Sequence, residues 1–174
     1  FESDQYLRST PTGVDLGADF AVAYDSMDAT SIYMNTNVSA HFPYAASIWA
    51  AMWEARTGQH IDGALAVDPT ALSYLLAATG PTALADGTKI TAGDVVELTQ
   101  SRAYAQFDDQ EQRKAFLVDI AKAVSEHLLD PQTRTTALLS SAAHAASERR
   151  LLMWSADPAV QAELEQTTLA GSIP

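Results

Sequence analysis

The chain has 174 residues, enough for one domain with a real core, and its 22 acidic against 10 basic side chains leave a formal charge of −12. A surface that negative repels nucleic acid and anionic lipid headgroups, so nucleic acid is not expected as a partner. There is no cysteine, which excludes disulfides, thiolate nucleophiles and cysteine metal sites, and no apolar run approaches the ~18 residues of a membrane span.

Residues 1–30 show weak periodicity and a Pro11-Thr12-Gly13 turn signal, and read as an extended arm or loop that links to a part upstream. Asp19 to Ser26 fits a short helix or strand, and Ser31 to Met34 a short strand. Residues 31–174 then read as a single α/β domain. Its first firm helix starts at Phe42-Pro43 and closes at Gly58, with Tyr44, Ile48, Met52 and Ala55 on one face. Trp49 and Trp53 lie four apart on the neighbouring face and read as core rather than as a ligand platform.

The clearest passage follows. Gly63 to Val67 is an apolar run with strand character. Asp68 offers a carboxylate to the free amides of the next helix, and Pro69 sits where a missing N–H costs nothing. Leu72, Leu75 and Leu76 form a stripe, Gly80 ends the helix, and Pro81 blocks its continuation. Thr82 to Leu84 is extended and leads to an Asp86-Gly87 turn.

Thr91 and Asp94 are spaced as a capping box ahead of a helix from about Ala92 to Ser101, with Arg102 to Phe107 as a connector. Asp108 or Asp109 caps the longest helix, which runs to Leu129 with Phe116, Leu117, Ile120, Ala121, Val124 and Leu128 at three-four spacing. Asp130-Pro131 breaks it, and another helix passes through Leu138, Ala142 and Ala145. Arg149 to Trp154 reads as a strand, Asp157-Pro158 begins a short helix to about Leu164, and Leu169 to Gly171 reads as an edge strand. The sum is an α/β (α+β) fold, a mixed β-sheet covered by helices.

Chemistry is sparse. His41, His60, His127 and His144 are not spaced as metal pairs, and neither a nucleophile elbow nor a phosphate-cradling glycine loop occurs. One basic knot stands out: Arg102, then Asp108-Asp109, then Arg113-Lys114. Guanidiniums there, with the amides that open a helix, suit an anion. The competing reading pairs Asp109 with Arg113 one turn apart on a solvated face. Arg149-Arg150 carries the same ambiguity.

From about residue 35 to 171 the chain resembles a bacterial family of domains of unknown function, number 4012. The residues that carry the likeness are Ala55-Arg56-Thr57-Gly58, Ile61-Asp62-Gly63, Val67-Asp68-Pro69, Thr79-Gly80-Pro81, Asp86-Gly87, Arg113 to Phe116 and Arg149 to Pro158. That resemblance implies a membrane-anchored parent with this domain outside the cytoplasm, in the cell envelope. More distantly, the order Thr57-Gly58, Ile61-Asp62, Val67-Asp68, Gly80-Pro81, Ile90 to Gly93 and Ser101-Arg102 is similar to the LytR-CpsA-Psr family, which attaches polyprenyl-diphosphate-linked glycopolymers to cell walls. Gln100 and Gln110 stand where that family has arginines.

The second resemblance implies that Arg102 and Arg113, with Lys114 assisting and Asp109 orienting one arginine, bind the phosphate of a polyprenyl-phosphate lipid or glycan. It implies Mg²⁺ in an active transferase parent and no cofactor held by this fragment. It leaves two readings: a glycopolymer phosphotransferase or its degenerate relative, and a noncatalytic scaffold or interaction module. It also implies early strands upstream, whose place at a sheet edge falls to a partner strand, to a second copy of the chain or to residues 1–30.

Overall fold

The computed structural model describes residues 9–133 and 135–173. These form two compact units: residues 67–151, and residues 9–66 together with 152–173.

The second unit opens with α1 (Ala18–Tyr24) and continues through short 3-10 turns to α2 (Phe42–Thr57). Ile48 and Met52 of α2 are fully buried against Phe20 and Ala29, with Tyr24, Tyr33 and Tyr44 packed around them. The described part of the expected arm therefore holds a helix and two core residues, because Phe20 has a hydrophobic partner face on α2. Gly58 ends α2 at φ 72°, the left-handed conformation its lack of a Cβ allows. Residues 31–34, expected as a strand, fall instead at a 3-10 turn spanning Tyr33–Asn35, where the buried Thr36 hydroxyl donates to the Tyr33 carbonyl.

β1 (Gly63–Val67) and β4 (Leu151–Ser155) form one two-stranded sheet. The flanking bonds from Asp68 N–H to the Arg150 carbonyl and from Ala156 N–H to the Asp62 carbonyl run antiparallel. α8 (Pro158–Leu164) is capped by Asp157, whose carboxylate accepts from Ala159 and Val160 N–H. The expected edge strand at Leu169 to Gly171 is a 3-10 turn. Gly171 sits at φ 62° with no room for a side chain, since a Cβ there would lie 2.9 Å from the Phe42 Cβ.

The first unit is a helical layer over a hairpin. Asp68 caps α3 (Pro69–Thr79) by accepting from Ala71 N–H at 2.7 Å. β2 (Thr82–Ala83) and β3 (Lys89–Ile90) pair antiparallel around the Asp86-Gly87 turn, Thr82 opposite Ile90. α6 (Gln110–Leu129) is capped by Asp109. Its Ile120 and Val124 meet Leu76, Ile90, Val95 and Leu98 in one core. After a 3-10 turn, α7 (Thr136–Ser147), capped by Thr135, lies along α3. The fully buried Ala71 and Ala145 keep side-chain bulk small on both helices. The observed class is α+β, and the described strands form two separate antiparallel pairs.

The region from Ala92 to Phe107 departs from the expected single helix and connector. Asp94 does accept from Thr91 N–H, the reciprocal arm of a capping box. Then come α4 (Val95–Glu97), a π-helical turn over Leu98–Arg102, and α5 (Ala103–Gln106). Ala103 N–H reaches back five residues to the Leu98 carbonyl. The Thr99 hydroxyl donates to the Val95 and Val96 carbonyls and competes for the acceptors of the regular ladder.

Candidate functional site

The π turn determines where Arg102 goes. Residues five apart do not share a face of a regular α-helix, but a turn closed at i→i+5 stacks them. Arg102 accordingly folds back on Glu97, donating from Nε to Oε1 at 2.9 Å and from Nη2 to Oε2 at 3.2 Å. Those bonds raise the guanidinium pKa further, with the Glu97 charge and then that of Asp94 adding to them. Both partners stay about half exposed.

Arg113 goes elsewhere. Its Nη1 donates to the Phe107 carbonyl at 3.2 Å, and its guanidinium lies 4.6 Å from the centroid of the Tyr104 ring. Asp109 caps α6 by accepting from Gln112 N–H at 2.8 Å. Lys114 comes within 3.9 Å of Glu111 on its own helix. Each of the four residues therefore has a contact inside the first unit. Arg102 is held by Glu97, a partner the sequence spacing conceals, while Arg113 and Asp109 share only the backbone bond between them, from Arg113 N–H to the Asp109 carbonyl.

A second polar cluster gathers at the base of α3 and α7. Arg150 donates from Nη1 to Asp68 Oδ2 at 2.6 Å and from Nε to Glu148 Oε2 at 2.8 Å. Tyr74 O–H donates to the same Glu148 oxygen at 3.0 Å, and His144 lies 3.6 Å from the other. The Tyr74 bond, then the Arg150 bond, holds Glu148 below the usual carboxylate range; in return Glu148 raises Tyr74. Asp68 thus caps α3 with one oxygen and holds Arg150 with the other. The Arg149-Arg150 ambiguity resolves for Arg150, which is held by Asp68 at the cap of α3 and by Glu148 just after α7.

The family described as protein of unknown function (DUF4012) matches residues 1–104. The chain belongs to that family. No curated protein and no solved structure matches it. The DUF4012 match includes Arg102 and stops short of Asp109, Arg113 and Lys114. It also takes in the whole of α1, α2, β1 and α3.

Within that matched part the structure departs from the expected core role of the two tryptophans of α2. Trp49 and Trp53 do not enter the core: both are half-buried and wall an open cavity of about 230 Å³. Tyr33, Ala50, Ile61 and Ala64 complete its lining. The signal was present as two indoles four residues apart, but the buried face of α2 is filled by Ala45, Ile48 and Met52. The DUF4012 chain also lacks, among its described residues, any group of three or more His, Asp or Glu side chains placed to hold a metal ion. No described helix is long and apolar enough to cross a membrane.

Proposed function

We propose that this chain is a noncatalytic interaction module of a membrane-anchored envelope protein, displayed outside the cytoplasm. The envelope setting is supported by the family resemblance. The noncatalytic reading rests on one observation: Arg102 is chelated by Glu97 through two hydrogen bonds, so the guanidinium fork that would grip a diphosphate already grips a carboxylate. Asp94 adds a further negative charge that the Arg102 guanidinium senses. An anionic headgroup would have to displace Glu97 and enter that field.

The polyprenyl-phosphate reading keeps one observation in its favour. The Arg102–Glu97 pair is exposed, and exposed pairs hold their partners weakly. Titration calorimetry with farnesyl phosphate separates the two. The interaction-module reading predicts no saturable heat from wild-type protein or from Arg102→Ala. Saturable binding by the wild type that Arg102→Ala abolishes would reinstate a lipid-phosphate site.

A further inference from the structure

We propose that the Asp62-Gly63 bond at the start of β1 is a site of spontaneous backbone modification, where aspartate converts to isoaspartate through a cyclic imide. The chain has two Asp-Gly pairs, Asp62-Gly63 and Asp86-Gly87, and both are exposed. In sequence they are equivalent, since a following glycine leaves the attacking nitrogen unshielded by a side chain. The fold separates them.

At Asp86-Gly87 both reacting groups are tied. Gly87 N–H donates to the Leu84 carbonyl at 2.9 Å, and Asp86 Oδ1 accepts from Thr88 N–H at 2.8 Å. Bonds from Thr88, its backbone first and its side chain second, hold the Asp86 carboxyl below the usual range. Ring closure expels a carboxyl oxygen as water and so draws on the protonated acid, which those bonds make scarce.

At Asp62-Gly63 both groups are loose. The Asp62 side chain is fully exposed, and His60 Nε2, 3.9 Å from Oδ1, is outside hydrogen-bond range. Ala156 N–H donates to the Asp62 carbonyl at 2.9 Å, and the alternation of an antiparallel ladder then turns the Gly63 N–H away from β4. No described residue accepts from it. Glycine is required at this position, because a Cβ on Gly63 would lie 2.9 Å from the Trp154 carbonyl oxygen. The close strand approach that demands glycine thus leaves Asp62 beside a bare nitrogen. Closure must break one bond, from Ala156, at the end of a two-stranded sheet.

The chemistry balances with water alone. The Gly63 nitrogen gives up its proton and bonds to Asp62 Cγ, and the Cγ hydroxyl departs with that proton as water. A second water reopens the imide. Attack at Cγ restores aspartate. Attack at the main-chain carbonyl carbon breaks its bond to the Gly63 nitrogen, so the chain now runs through Cγ. The freed carbonyl becomes a carboxylate, net charge is unchanged, and Ala156 N–H loses its acceptor. The inference is independent of the interaction-module reading.

The test ages the folded protein in warm, near-neutral buffer beside a sample unfolded in guanidinium chloride. Peptide mapping with electron-transfer fragmentation locates isoaspartate, and Asp86 serves as the internal standard. Isoaspartate should accumulate several-fold faster at Asp62 than at Asp86 in the folded protein, and at similar rates at both in the unfolded one. Amide exchange at Ala156 should quicken in step with conversion. Asp62→Glu should remove the signal at that position, because the larger imide ring of glutamate closes far more slowly. Equal conversion at both sites in the folded protein would overturn the proposal. So would an Asp62 that stays intact when folded while both sites convert unfolded, since the strand would then hold the peptide too firmly to cyclise. A preference for Asp62 that persists unchanged in guanidinium would overturn it as well, assigning the preference to local sequence rather than to the fold.

Discussion

Thr36→Val tests how the cavity beside Trp49 is held in shape. Thr36 is 2% exposed and its hydroxyl works in both directions, donating to the Tyr33 carbonyl at 2.9 Å and accepting from Trp49 Nε1–H at 2.6 Å. Valine keeps the shape and removes both bonds. The indole N–H loses its partner, while the Tyr33 carbonyl keeps the bond from the Thr36 backbone N–H. A net hydrogen bond contributes about 0.5–1.5 kcal/mol, and a buried group left unpaired costs roughly 1–3 kcal/mol. Because Trp49 is only half-buried and water relieves part of the loss, the expected destabilisation is about 1–3 kcal/mol. Urea unfolding followed by far-UV circular dichroism measures it. A double-mutant cycle with Trp49→Phe isolates the indole bond, and a coupling of about 1 kcal/mol is expected. Additive effects within experimental error would refute the claim that Thr36 positions Trp49.

Three further outcomes follow from the geometry. Ile120→Ala removes a side chain that is 1% exposed from the core of the 67–151 unit, and should cost about 2–5 kcal/mol in chemical denaturation. Gly171→Ala forces a left-handed backbone on an L-residue and drives a methyl to within 2.9 Å of Phe42 and 3.0 Å of Leu152. The expected loss is about 2–4 kcal/mol, and an unchanged melting temperature would contradict the packing described. Glu148 is depressed chiefly by the Tyr74 hydroxyl and then by Arg150, so its contribution to stability is present above the ordinary glutamate range and is lost as pH falls through its lowered folded value. Glu148→Gln should therefore flatten the acid side of the stability profile below pH ~4.5, while Tyr74→Phe flattens it in part. Parallel acid limbs for all three proteins would remove that role.

Legibility in the sequence tracked local chemistry. Asp68-Pro69, Asp157-Pro158 and Gly58 carry their caps within a few residues, and α2, α3, α6 and α8 begin and end close to the positions those signals indicate. The π turn was hidden because Leu98 to Arg102 has the composition of an ordinary helix. The competition between the Thr99 hydroxyl and the ladder is visible only once the backbone is placed. The Arg102–Glu97 pair was hidden with it, since a spacing of five is not a pairing distance on a regular helix. Trp49 and Trp53 are visible in the sequence as a pair, and their spacing alone points to the core. Their exposure depends on Phe20 and Ala29, from a segment with almost no periodic signal, filling the opposite face of α2. The Asp68–Arg150 bond joins residues 82 positions apart, beyond the reach of any spacing rule.

The most direct measurement of the central claim follows the arginine side chains themselves. In ¹⁵N-labelled protein, the Nε–Hε correlations of Arg102 and Arg113 report whether each guanidinium changes partner as farnesyl phosphate is added. Arg102 kept by Glu97 and Arg113 kept over Tyr104 predict two signals that stay in place throughout the titration. Saturable movement of both signals along one binding curve would contradict the account and make the arginine knot a phosphate site.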